Sequence, residues 1–148
     1  MKTLNEILNA SVLACLVCVL VIGCGKNRFP GVVPAEGTIT HNGAALDDAK
    51  LLFYPKEAKQ DNVVTVSQSD SSGNFVLWTN GEVAGAYPGT YKVVVVKSKV
   101  TGHRKDEEGN DVPIYSLATP QKYSAEGTTT LEITVPPKGD KNITINVE

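Results

Sequence analysis

Residues 130–135, Thr-Leu-Glu-Ile-Thr-Val, and residues 143–148, Ile-Thr-Ile-Asn-Val-Glu, alternate apolar and polar side chains with a period of two. Leu131, Ile133 and Val135 share one face, and Ile143, Ile145 and Val147 share another. Successive side chains of a strand point to opposite faces, so each segment reads as a half-buried β-strand. The short loop at 136–141 predicts that the two pair with each other as an antiparallel hairpin.

Upstream, residues 91–96 (Tyr-Lys-Val-Val-Val-Val) are almost uniformly apolar and β-branched, as in a central strand buried on both faces. Further strands are expected at 36–41, 50–54, 63–67 and 74–79. His41-Asn42-Gly43 is an Asn-Gly hairpin signal. Asp70-Ser71-Ser72-Gly73-Asn74 pairs an aspartate able to accept from its own backbone with a glycine able to take positive φ. No helical period interrupts the series. Seven short strands separated by turns predict an all-β fold, a seven-stranded Greek-key β-sandwich over residues 35–148.

The N-terminal end has a different character. Lys2 precedes an unbroken apolar run at 12–22, and Val21-Ile22-Gly23-Cys24 closes it. A positive start, a short apolar stretch and a small residue before the cleavage point are the parts of a secretory signal peptide. Eleven helical residues span about 16 Å, roughly half the hydrocarbon core of a bilayer. The competing reading, a permanent anchor over 7–25, leaves Cys24 without a use. Residues 1–23 are therefore expected to be a lipoprotein signal peptide, with Cys24 the lipidated residue. Residues 24–34, with two prolines and no periodicity, are expected to tether lipid to domain. The product is then extracytoplasmic and lipid-anchored to a bacterial membrane, at the outer membrane or the periplasmic face. Two or more acyl chains, palmitate among them, anchor stably where one does not.

Cys15 and Cys18 fall inside the apolar run and leave with it, so the remaining 125 of 148 residues keep no free thiol and no disulfide. That length suffices for one self-supporting core. Lys2 and Glu6 cancel, leaving the formal charge at −2, and scattered lysines make no footprint for nucleic acid.

The order Gly37-x-Ile39, Asn42-Gly43, Leu51 to Pro55, Asp70-x-x-Gly73-x-Phe75 and Gly85-Ala86-x-Pro88-Gly89-x-Tyr91 resembles the carboxypeptidase regulatory-like or transthyretin-like β-sandwich. The closing Thr119-Pro120-x-Lys122-Tyr123, Thr130-Leu131 and Val135 are similar to those of planctomycete-type short lipoproteins with such a domain. The resemblance covers about residues 35–148 and implies a fold without an assigned activity or ligand. Function belongs to a site, not to a scaffold.

Transthyretin-like hydroxyisourate hydrolases work with histidines, an arginine and a C-terminal Tyr-Arg-Gly-Ser. This chain ends Ile145-Asn146-Val147-Glu148 and departs from that pattern. Intradiol dioxygenases of a related fold hold iron with two tyrosines and two histidines, but His41 and His103 fall in a turn and a charged loop. Asp70 with Gly73 has the chemistry for a calcium ligand, against an ordinary Asx turn. The acidic loop at 102–111 lacks EF-hand spacing and reads as a solvated loop. Trp78 can stack on a sugar ring or pack against the domain. Tyr91 is placed as a tyrosine corner, its hydroxyl bonding upstream backbone. No nucleophile elbow, phosphate-binding glycine loop or H-E-x-x-H is present.

The expectation is a non-enzymatic, membrane-anchored lipoprotein without cofactor or metal, a structural or protein-binding module of the cell envelope. The alternative is an extracytoplasmic carbohydrate- or calcium-binding module using Trp78 and Asp70. The partners expected are the membrane, through the lipid on Cys24, and an envelope protein or polysaccharide.

Overall fold

The computed structural model describes residues 28–57 and 63–148; the expected signal peptide and Cys24 lie outside them. Among the described residues the chain is nearly all β, with one 3₁₀ turn at Gln121–Tyr123 and no helix long and apolar enough to cross a membrane. The strands are β1 (Ala35–His41), β2 (Ala44–Ala45), β3 (Lys50–Pro55), β4 (Thr65–Gln68), β5 (Asn74–Val76), β6 (Trp78–Thr79), β7 (Val83–Ala84), β8 (Gly89–Val96), β9 (Ser98–Lys105), β10 (Asp111–Leu117), β11 (Glu132–Val135) and β12 (Asp140–Val147).

Each of the seven segments expected from the sequence contains a strand, but the described chain has more than seven. Segment 74–79 is cut at Leu77, and β2, β7, β9 and β10 are additional. The cut has a hydrogen-bonding cause. Leu77 donates its N–H to Ala35 in one sheet while its carbonyl accepts from Gly85, beside another.

One sheet has the order β12-β1-β2, with β5 also on β1; a six-stranded sheet runs β11-β8-β3-β4-β6-β7. Their facing side chains make one core. Ile39, Phe75, Ile143, Ile145 and Val147 come from the first; Leu51, Phe53, Tyr91, Val93, Val95, Ile133 and Val135 come from the second. Phe53 packs edge-on against Tyr91 at 6.5 Å between ring centres and tilted against Phe75 at 6.2 Å, joining the two sheets. Each fully buried side chain of this size contributes about 1.5–3 kcal/mol. As its uniform valines require, β8 is central: it pairs with β3 on one side and β11 on the other, and Val93, Val94 and Val95 are all buried.

The expected C-terminal hairpin does not form. β11 pairs antiparallel with β8, whereas β12 runs parallel to β1, from Gly37 opposite Ile143 to His41 opposite Val147. Pro136 and Pro137 lack two successive N–H donors, which ends the β11 ladder. Asp140 then donates its N–H to Pro34 at 2.9 Å, seating the chain on the start of β1 in the other sheet. Both apolar faces still reach the same core, from opposite sheets.

Candidate functional site

β9 and β10 form a two-stranded ribbon of their own, and among the described residues no other element packs against it comparably. Its base is fixed where Ala118 donates to the carbonyl of Lys97 at 2.7 Å and the Lys97 ammonium meets Asp47. That contact holds the Asp47 carboxyl below its ordinary pKa. Beyond the base the ribbon stands in solvent.

Its tip is built by Asp106-Glu107-Glu108-Gly109-Asn110. Asp106 N–H donates to Asn110 O at 3.1 Å, and Gly109 N–H donates to Asp106 O at 3.1 Å, with Gly109 at φ 85°. This is a three-residue hairpin loop closed by a left-handed glycine. The Asp106 carboxylate accepts from the backbone N–H of Glu108 and Asn110 and from the Asn110 side chain. The Asn110 bonds hold it below its ordinary pKa. The charged loop expected at 102–111 is thus largely strand and hairpin tip.

Cross-strand pairing sorts the ribbon's side chains onto two faces. Lys105/Asp111, His103/Pro113, Val100/Tyr115 and Ser98/Leu117 share one; Arg104/Val112, Gly102/Ile114 and Lys99/Ser116 share the other. A bulge at Thr101 makes this possible. Without the extra residue, Thr101 would oppose Tyr115 and Val100 would point to the other face. Tyr115 is 63% exposed, Val100 50%, Ile114 43% and Leu117 37%. Four large apolar residues on one solvated ribbon are the clearest exposed apolar feature among the described residues.

Asp70 lies in a second copy of the tip motif, Asp70-Ser71-Ser72-Gly73-Asn74, between β4 and β5. Its Oδ1 accepts from the backbone N–H of Ser72 and Asn74, each at 2.8 Å, and its Oδ2 from the Asn74 side chain at 3.0 Å. Both oxygens serve the turn, and the Asn74 bonds hold the carboxyl below its ordinary pKa.

Trp78 sits elsewhere. Phe75, Leu77 and Thr79 take the buried side, leaving Trp78 on the outer face of the six-stranded sheet, 41% exposed. It stands in a row running Val94, Leu52, Val66, Trp78 and Ala84 across neighbouring strands. The structure does not bring Asp70 and Trp78 into one site.

His41 ends β1, and His103 lies on the ribbon opposite Pro113. Among the described residues no group of three or more His, Cys, Asp or Glu is placed to hold a metal ion. Tyr91 donates its hydroxyl to the carbonyl of Tyr87 at 2.8 Å, the corner geometry expected of it, and burial raises its pKa. Tyr87 and Tyr91 also line a cavity of about 50 Å³ with Pro55, Val63 and Pro88, near the size of one or two waters.

Sequence reasoning missed the ribbon. The signal present was the repeat of Asp-x-x-Gly-Asn at 70–74 and 106–110.

No protein-family model matches the chain, and no curated protein matches it. Among solved structures it is similar to a 9R-lipoxygenase from Cyanothece PCC8801, with a TM-score of 0.36 and 13% identity, over 78% of this chain and 16% of that one. The chain therefore spans under a fifth of that enzyme's length.

Proposed function

We propose that this protein is a lipid-anchored, extracytoplasmic lipoprotein whose non-catalytic β-sandwich, of the transthyretin-like or carboxypeptidase regulatory-like kind, binds another protein of the cell envelope. The observation that carries the binding role is the ribbon, which exposes Val100, Ile114, Tyr115 and Leu117 without a covering element among the described residues. A protein gains nothing for its own stability from such residues in water, whereas a partner that covers them does gain. The anchoring half rests on Gly23-Cys24 after the apolar run, as the sequence reads.

Two measurements test it. Intact mass and detergent partition of the native protein are expected to show acylation, lost together with cleavage in Cys24→Ser; an unchanged mass refutes the anchor. Photo-crosslinking from position 115 in intact cells is expected to give protein adducts absent from position 144 on the opposite sheet. Equal yields at both positions refute the binding role.

Carbohydrate binding at Trp78 is the second reading, favoured by its half-exposed ring on the outer sheet face, in a depression shared with Leu52, Val66 and Gln68. Quenching of Trp78 fluorescence by an envelope polysaccharide would establish it, and an unchanged spectrum at saturating polysaccharide dismisses it. Calcium at Asp70 has less support, because the turn already occupies both carboxylate oxygens.

A further inference from the structure

We infer that the outer edge of β9 is a strand-addition site for an extended partner segment in which acidic and apolar residues alternate. The inference deepens the protein-binding reading and rests on it, but is independent of the lipid anchor.

The two edges of the ribbon differ. In an antiparallel ladder, opposed residues alternate between hydrogen-bonded and non-hydrogen-bonded pairs. The bond from Asp106 to Asn110 makes that pair hydrogen-bonded, so Lys105/Asp111 is not, Arg104/Val112 is, and His103/Pro113 is not. Counting from the base gives the same phase. Ala118 bonds Lys97, so Ser98/Leu117 and Val100/Tyr115 are the non-bonded pairs. Pro113 therefore costs the ribbon no hydrogen bond, and its missing N–H falls on the outer edge of β10. Proline there blocks addition of another strand. On β9 the outward groups are those of Ser98, Val100, His103 and Lys105, all with an N–H donor. Proline closes the β10 edge, whereas the outward residues of β9 keep their N–H donors on both sides of the bulge at Thr101.

The side chains along the open edge define what fits. A strand laid beside β9 continues its two faces. On the face of Val100, Tyr115 and Leu117, the added strand gains from apolar residues. On the other it meets Lys99 and Arg104, neither of which has a carboxylate partner among the described residues, whereas Lys105 is paired with Asp111 at 3.1 Å. Acidic residues on that face complement both cations, and opposite charges on neighbouring strands stabilise the pairing.

A second copy of this chain fits less well. Full-length antiparallel pairing of two β9 strands sets Lys99 against Arg104 of the other copy, and like charges directly opposite destabilise. The energetic need for a third strand is independent of charge: a two-stranded ribbon in water is marginal alone, and three strands with an apolar face are stable. Main-chain bonds supply affinity and alternate side chains supply specificity.

The test uses the full chain in detergent and a fluorescent eight-residue peptide alternating glutamate with valine. Saturable binding is expected, with slowed amide exchange at Ser98, Val100, His103 and Lys105. The lysine–valine counterpart is expected not to bind. The glutamate–valine peptide N-methylated at every second residue, in both phases, should bind in one phase alone, the phase in which its free N–H groups face β9. Lys99→Glu with Arg104→Glu should weaken binding at least about tenfold. The N-methylated peptides leave the protein untouched, so they decide the matter even where that variant disturbs the ribbon. Equal binding of both N-methylated peptides, no saturable binding, or protection confined to β10 would overturn the inference. So would a concentration-dependent dimer that excludes the peptide. Crosslinks from position 115 without peptide binding would discard the strand-addition edge and leave the protein-binding role in place.

Discussion

Asp106 and Asn110 face each other across a three-residue loop, with the Asp106 carboxylate accepting the Asn110 backbone N–H at 2.8 Å; Asp70 and Asn74 reproduce the relationship at the same distance. The chemistry is identical and the settings are not. Asp70 links β4 of the six-stranded sheet to β5 of the other sheet, while Asp106 links only the two strands of the ribbon.

Asp70→Ala is therefore expected to lower the melting temperature of the whole domain. Asp106→Ala should leave that temperature within error and instead speed amide exchange along β9 and β10. Thermal unfolding followed by circular dichroism, with hydrogen exchange by NMR, separates the two outcomes.

The Asp70 effect depends on pH in a defined direction. Its folded pKa lies below the ordinary carboxylate value, chiefly through the Asn74 side chain and then the Asn74 N–H. A depressed folded pKa adds stability that is present above the unfolded value of about 4 and is lost as pH falls through the folded one. The melting difference between the native chain and Asp70→Asn should be widest near neutrality and shrink below about pH 4.

Gly37 packs where β1 meets β12, and a Cβ placed on it would stand 2.0 Å from the carbonyl oxygen of Ile143. Backbone cannot yield as a flexible side chain does. Gly37→Ala is expected to cost about 3 kcal/mol, the upper end of ordinary overpacking penalties, read as a lower urea midpoint.

Leu51 is fully buried in β3 between the two sheets, so Leu51→Ala should cost about 2–5 kcal/mol by urea unfolding. Tyr115→Ser, on the exposed ribbon, should change stability by less than about 0.5 kcal/mol. A large loss for Tyr115→Ser would show that the ribbon is packed against the sandwich.

Just beyond the ribbon, Thr119 is buried and its hydroxyl has no hydrogen-bond partner among the described residues. Removing an unsatisfied buried polar group while keeping its shape relieves a penalty of about 1–3 kcal/mol. Thr119→Val should accordingly raise the urea midpoint.

The ribbon escaped sequence reading for a physical reason. Alternation is a signal of one buried face, and β9 has none: Lys99, His103, Arg104 and Lys105 interleave with Val100 and Gly102, and nearly all are exposed. Its turn was legible, since 106–110 repeats the chemistry of 70–74, but turn residues mark a bend without saying that strands flank it. Trp78 was legible as a residue on one face of its strand. Which face met the core was decided by Leu77 and Thr79, whose burial depends on a stacked sheet that includes β1 and β12, strands distant in the chain.

Apolar spacing at 130–135 and 143–148 was enough to make both segments strands and to say which side of each seeks the core, because burial acts on side chains. Partner choice was another matter. Main-chain N–H and C=O groups are the same at every residue but proline, so nothing within β12 itself told it to run parallel to β1 instead of turning back on β11. Pro136 and Pro137 ended one ladder, the Pro34 carbonyl started the other, and the shared core accepted both faces; that arrangement exists only once the two sheets are stacked.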